Sequence, residues 1–230
     1  MSELNLAKAA EFAIDYAKKQ GIDQSEVSLH QGTGISITAR QQELETVEKH
    51  NDAQFVISLY KDHKTGSASS ADMSEQGIRS TVDAAISIAR YTGADECFGL
   101  ADADRMANQE IDLDLFHTWS ADEAQMLDIA MRCEQAAVES SELITNSEGA
   151  SVNSYSGSAV YANSHGFLSQ SLGSQHSVSC SVIGSNEHGM QRDYWYDSSR
   201  NAAKLDSPED IGLIAAKRTL ARLGSRQIAS

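Results

Sequence analysis

Apolar positions mark the chain into alternating helical and extended stretches. Leu6, Ala9, Ala13, Tyr16 and Ala17 recur at helical spacing and predict an opening helix that exits at Gly21, after Lys18 and Lys19. Alternation then takes over. Val27 and Leu29 predict one strand and Ile35, Ile37 and Ala39 another, with Gly32-Thr33-Gly34 between them as a hairpin turn. A stretch over 44–50, the apolar run 55–60 and the small-residue run 65–71 complete a meander of up to five antiparallel strands, with a turn at Lys61-Asp62-His63-Lys64.

Ile78, Val82, Ala85, Ile86 and Ala89 form the stripe of a second helix, with Asp72 and Glu75 placed as a capping box and Gly93 at its close. Residues 94–118 lack a period and carry Asp102, Asp104, Glu110, Asp112 and Asp114, which predicts an exposed connection. Ser120 and Glu123 read as the capping box of a third helix carrying Leu127, Met131 and Val138. Short strands follow near 143–147, 151–155, 158–163, 167–172, 177–183 and 189–196. They are separated by turn signals at Glu148-Gly149, Ser156-Gly157, His165-Gly166 and Glu187-His188-Gly189. Ser207, Pro208 and Asp210 open a last helix through Leu213, Ala216, Leu220 and Leu223, ended by Gly224. Strands and helices come in blocks, so the expected fold is α+β, with antiparallel sheets and segregated long helices. The chain divides into candidate halves 1–118 and 119–230, which repeat a loose strand-then-helix plan.

Charge narrows the partners. The 230 residues carry 33 acidic against 18 basic side chains, a formal net charge of -15. Such a surface repels phosphate backbones and anionic lipid, which disfavours direct contact with nucleic acid or a membrane surface. No apolar run approaches the roughly 20 residues that span a bilayer, and residues 1–6 lack the basic and apolar regions of a signal peptide. The three cysteines, Cys97, Cys133 and Cys180, are far apart in sequence and fit buried thiols in a reducing compartment. A cytoplasmic location is the expectation.

The search for chemistry returns little. The seven histidines show no pair one helical turn apart beside a glutamate, so no local zinc signature exists. Gly-x-Ser-x-Gly, Walker A and Gly-x-Gly-x-x-Gly patterns are absent. Ser164-His165 are adjacent, and neighbours on a strand point to opposite faces, which excludes a simple dyad. Cys180 alternates in phase with Val178 and Val182 and reads as a small core residue.

Two stretches stand out. Residues 155–167 contain Tyr155 and an Asn163-Ser164-His165-Gly166 turn in which Asn and Gly can take positive φ. Residues 189–197 concentrate Arg192, Asp193, Tyr194 and Trp195 in a chain otherwise short of aromatic residues. Aromatic side chains beside arginine mark binding surfaces, although a hairpin with cross-strand aromatic pairs gives the same pattern. Tyr155, Asn163, Arg192, Asp193, Tyr194 and Trp195 are the candidate contacts for a peptide or a partner.

With these two stretches, the 55–60 strand with its turn and the 78–89 helix, the chain resembles the TldD/PmbA family, the modulators of DNA gyrase, on its PmbA (TldE) branch. The resemblance implies an N-terminal α+β domain spanning residues 1–230, followed in family members by a second β-rich domain. It also implies a heterodimeric cytoplasmic protease in which a TldD-like subunit carries zinc in a His-Glu-x-x-x-His motif and the PmbA-like subunit completes a chamber that trims leader peptides or degrades an antitoxin. This sequence has no such motif, either because it is of PmbA type or because it ends before one. The expectation is therefore no catalytic or metal residue and no cofactor in this chain, zinc in the partner subunit, and a TldD-like subunit and peptides as partners, with self-association as a further one. The other readings are a protein acting on DNA gyrase or a toxin–antitoxin system, and a self-sufficient hydrolase with scattered residues.

Overall fold

A computed structural model describes residues 5–107 and 111–225. Glu110 of the acidic connection and the two chain ends, 1–4 and 226–230, lie outside the described residues. The elements run α1 (Leu6–Lys19), β1 (Gln24–Arg40), β2 (Glu43–Lys61), β3 (Lys64–Ser70), α2 (Glu75–Tyr91), α3 (Glu123–Glu139), β4 (Ile144–Asn163), β5 (Leu168–Asn186), β6 (Gly189–Ser199) and α4 (Pro208–Arg222). The fold is α+β, as the blocks of periodicity predict, and its strands form an antiparallel sheet in the order β3-β2-β1-β4-β5-β6.

The strands are fewer and longer than the sequence predicts. Gly32-Thr33-Gly34 does not turn: it runs through β1, and the two predicted strands on either side of it are one. The stretches 44–50 and 55–60 likewise merge in β2, three predicted strands merge in β4, and two in β5. The glycines inside these strands serve close approach instead. A Cβ at Gly34 would sit 3.0 Å from the Tyr155 ring, and one at Gly157 would sit 2.8 Å from the Gln31 carbonyl oxygen.

The chain forms two compact units, drawn from Met1–Gly32, Asn51–Asp114 and Gly157–Leu172 for the first and from Thr33–His50, Leu115–Ser156 and Gly173–Ser230 for the second. In the first unit Leu6, Ala10, Ala13 and Ala17 of α1 and Ile78, Val82, Ala85 and Ala89 of α2 close over Val27, Leu29, Phe55, Ile57 and Leu59. The period-2 pattern of β1 and β2 puts these five side chains on one face, where burying each contributes about 1.5–3 kcal/mol. In the second unit Met126, Ala130, Cys133 and Ala137 of α3 and Ile211, Ala215 and Ala216 of α4 cover Ile37, Val152, Val178, Cys180 and Val182.

Two helix starts differ from expectation. Ser74, not Asp72, caps α2, accepting from the Gly77 amide at 3.1 Å while Asp72 accepts from the Ser74 amide. The α3 capping box pairs Asp122 with Gln125, two residues later than Ser120 and Glu123. Its carboxylate is also the better complement to a helix N-terminus. Ser207 and Pro208 open α4 as predicted.

The cysteines divide in two ways. Cys133 and Cys180 are buried, whereas Cys97 is exposed, which corrects the expectation of three buried thiols. The neighbouring Cys180 thiol and burial both push the Cys133 thiol well above its ordinary range, so it stays protonated and unreactive. A thiol reagent such as Ellman's is expected to titrate Cys97 rapidly in the folded protein and Cys133 and Cys180 only after unfolding. Equal native rates at all three would contradict the packing.

Candidate functional site

Residue alternation in β6 sorts the aromatic stretch into two faces. Tyr194 and Tyr196 are 52% and 54% exposed and their rings stack 6.3 Å apart, with Arg192 beside them on the same face. Arg192 donates from Nε to Glu148 Oε2 of β4, and Ser181 of β5 donates to the same oxygen at 2.8 Å. Those hydrogen bonds, the Ser181 hydroxyl foremost, hold the Glu148 carboxyl below the usual carboxylate range although burial opposes them. A shallow depression of about 380 Å³ lies here, bounded by Glu148, Gly149, Ser151, Ser181, Arg192 and Tyr194.

The alternate residues of β6 face α4. Asp193 is 8% exposed and pairs with Arg218 at 3.4 Å and Arg222 at 3.6 Å. Burial pushes its carboxyl up, but the Tyr194 amide and the two guanidinium groups outweigh it and leave it below its ordinary value. Trp195 lies against the core of the second unit with the Arg218 guanidinium 5.3 Å from its ring centre, and its indole nitrogen is buried without a hydrogen-bond partner among the described residues.

Tyr155 lies on β4 of the second unit, against Gly34. Asn163 is in the first unit, at the end of β4, and 3% exposed. Its side-chain oxygen accepts from the His165 amide at 3.1 Å and the Phe167 amide at 3.3 Å, so it pins the turn to β5. Gly166 takes positive φ there and Asn163 does not. Ser164 accepts from the Ser25 amide at 3.0 Å, which commits its hydroxyl to β1. The structure thus brings Arg192 and Tyr194 together on one surface of the second unit and places Asp193 and Trp195 behind them, while Asn163 belongs to the first unit. Tyr196 was missed, although its spacing from Arg192 and Tyr194 already put it on their face.

Two polar clusters were not legible. In the first unit Glu26 accepts from Tyr60 at 2.9 Å and Tyr161 at 2.8 Å. Burial, with help from that carboxylate, pushes the Tyr60 hydroxyl up to about 12. In the second unit Ser154 Oγ is 3.0 Å from His176 Nδ1, and His176 Nε2 donates to the His117 carbonyl at 2.9 Å, since a carbonyl only accepts. This resembles a hydrolytic dyad, but His176 is fully buried, both its ring nitrogens are engaged, and Trp119 packs edge-on against it at 5.3 Å. It is a satisfied core histidine that ties the 115–119 segment to β5. Among the described residues no three His, Cys, Asp or Glu side chains converge as metal ligands, and no helix is long and apolar enough to cross a membrane.

Comparison with known proteins places this α+β architecture. The profile of PmbA/TldA metallopeptidase domain 1 matches residues 25–89, and that of the PmbA/TldA metallopeptidase central domain matches residues 116–223. A Haemophilus influenzae protein named metalloprotease PmbA homolog is 43% identical over 99% of this chain, and the Escherichia coli O157:H7 metalloprotease PmbA is 41% identical over 98%. The chain spans about half the length of each, 50% in both cases. A crystal structure of a Bacteroides thetaiotaomicron protein described as a modulator of DNA gyrase superposes with a TM-score of 0.87 at 26% identity, covering 96% of this chain and 51% of that one. Thermococcus kodakarensis TldE shares the fold, with a TM-score of 0.71 at 17% identity over 92% of this chain and 47% of its own. The chain belongs to the PmbA/TldD metallopeptidase family.

Proposed function

We propose that this chain is a non-catalytic portion of a TldD/PmbA-like zinc metalloprotease complex in the cytoplasm. It docks a TldD-like subunit, which supplies the zinc, and helps enclose the unstructured or leader peptides that the complex cuts. The observation that carries this reading is the outward face of β6, where Arg192, Tyr194 and Tyr196 line up beside the Glu148 depression. Tyrosine and arginine dominate the energetics of protein interfaces because they bury large area at low entropic cost. The ion pair with Glu148 and the ring stacking hold these side chains in place before a partner arrives, which lowers the cost of binding.

The test is the affinity of the chain for a TldD-like subunit, measured by titration calorimetry for the natural sequence and for Arg192→Ala/Tyr194→Ala. Truncating two such residues is expected to weaken binding by about 30-fold or more, at about 1–2 kcal/mol each. Unchanged affinity in a variant that melts like the natural protein would refute the reading. Tight binding to gyrase with none to the TldD-like subunit would favour the modulator reading that the Bacteroides protein's description carries.

A further inference from the structure

β6 is the last strand of the sheet, so one of its edges has no neighbouring strand among the described residues. The β5–β6 hairpin closes through the two residues Glu187 and His188, with Asn186 opposite Gly189. In such a hairpin the closing pair is hydrogen-bonded and every second pair after it is too. Asp193, Trp195 and Asp197 therefore exchange backbone hydrogen bonds with β5. Met190, Arg192, Tyr194, Tyr196 and Ser198 turn their N–H and C=O groups toward the free edge. A row of that kind is a template for another strand.

Two of these edge donors are already taken. The Tyr194 amide donates to Asp193 Oδ1 at 2.8 Å, and the Ser198 amide donates to Asp197 Oδ1 at 2.8 Å. Both carboxylates are anchored from outside the strand. Arg218 and Arg222 of α4 hold Asp193, and Asp197 Oδ2 accepts from the Asp206 amide at 2.9 Å as the chain folds back after β6. An incoming antiparallel strand would pair in succession with residues 190, 192, 194, 196 and 198. With 194 and 198 capped, Met190 and Arg192 beside the hairpin turn are the only two neighbouring positions, among the described residues, with no such cap, so a ladder cannot propagate along the strand past Arg192.

We infer that Asp193 and Asp197 close the β6 edge to strand addition from Tyr194 onward, so that a second copy of this chain cannot extend the sheet along that stretch and Tyr194 to Ser198 meet other molecules through their side-chain face. The inference does not depend on which partner docks on that face.

The test uses the full chain with Asp193→Ala/Asp197→Ala, followed by amide hydrogen exchange and sedimentation velocity. In the natural protein the Tyr194 and Ser198 amides are expected to exchange at least about tenfold more slowly than those of Arg192 and Tyr196, although all four face the edge. In the double variant that protection is lost and the self-association constant rises by about tenfold or more. Adding Tyr196→Pro, which removes a further edge donor, reverses the rise. Asp197→Ala alone leaves the Asp193 ion pairs intact, is expected to act in the same direction with a smaller rise, and carries the test if the double variant does not fold. Unchanged association despite lost amide protection, or a rise that survives the proline, would overturn the inference.

Discussion

Replacing Gly212 by alanine is expected to destabilise the second unit by about 2–3 kcal/mol, as read by equilibrium denaturation. The sign is what makes the result informative. A glycine inside a helix ordinarily costs about 1 kcal/mol relative to alanine, so in an uncrowded helix the substitution would stabilise. In α4, however, a methyl group at position 212 would overlap the Cys133 carbonyl oxygen of α3 and lie 3.1 Å from the Ala137 amide nitrogen. The opposing atoms are backbone and cannot rotate away, so the helices must separate and lose the packing of Cys133, Ala137, Ala215 and Ala216. A raised denaturation midpoint would show that α3 and α4 do not approach this closely. Gly66 provides the equivalent in the first unit, where a Cβ would overlap the Ala85 carbonyl and lie 2.7 Å from the Ala89 amide of α2.

Glu134→Gln is expected to cost about 1.5–3 kcal/mol despite its nearly identical volume. Glu134 is 1% exposed, and its carboxylate accepts from the Gln41 amide at 2.9 Å, the Gln42 amide at 2.9 Å and the Gln42 side-chain amide at 3.1 Å. Three donors converge on two oxygens. A glutamine would turn an NH2 group toward one of those donors and leave it without a partner. The clamp explains why Gln41 and Gln42 both hold positive φ, 54° and 61°, in the turn between β1 and β2, a conformation that favours Asn-Gly. Gln42→Gly in the Glu134→Gln background should recover about 0.5–1 kcal/mol by relieving that strain. A neutral Glu134→Gln, with unchanged exchange at the Gln41 and Gln42 amides, would contradict this account.

The helices were legible because their apolar faces repeat every three or four residues and the backbone hydrogen bonds that form them are local. Ile78, Val82, Ala85 and Ala89 announce α2 without help from the rest of the chain. The strands were legible as extended stretches but not in their lengths. Glycine marks a turn in most sequences, whereas Gly34 and Gly157 sit where another residue lies against the strand, and that neighbour is distant in sequence. The Gln41–Gln42 turn went unseen for the same reason, since its acceptor lies 92 residues from Gln42. Within the candidate site, period-2 alternation alone sorts Arg192, Tyr194 and Tyr196 from Asp193 and Trp195. What no pattern in β6 could supply is the far side of each contact: Glu148 for Arg192, and Arg218 and Arg222 for Asp193.

The two units interleave along the chain because β1, β2, β4 and β5 each contribute residues to both. A division drawn in chain order follows the blocks of secondary structure, while the units follow the halves of long strands. The largest fully buried side chains follow the same division, with Phe55, Leu29 and Ile57 in one core and Ile37, Met126 and Ile211 in the other.

The most direct test of the central claim is zinc-dependent cleavage of an unstructured peptide, measured for this chain alone, for a TldD-like subunit alone, and for the TldD-like subunit mixed with a version of this chain extended to the length of its relatives. The account predicts no cleavage by this chain and the highest activity in the mixture, reduced by Arg192→Ala/Tyr194→Ala. Zinc-dependent cleavage by this chain alone would contradict it.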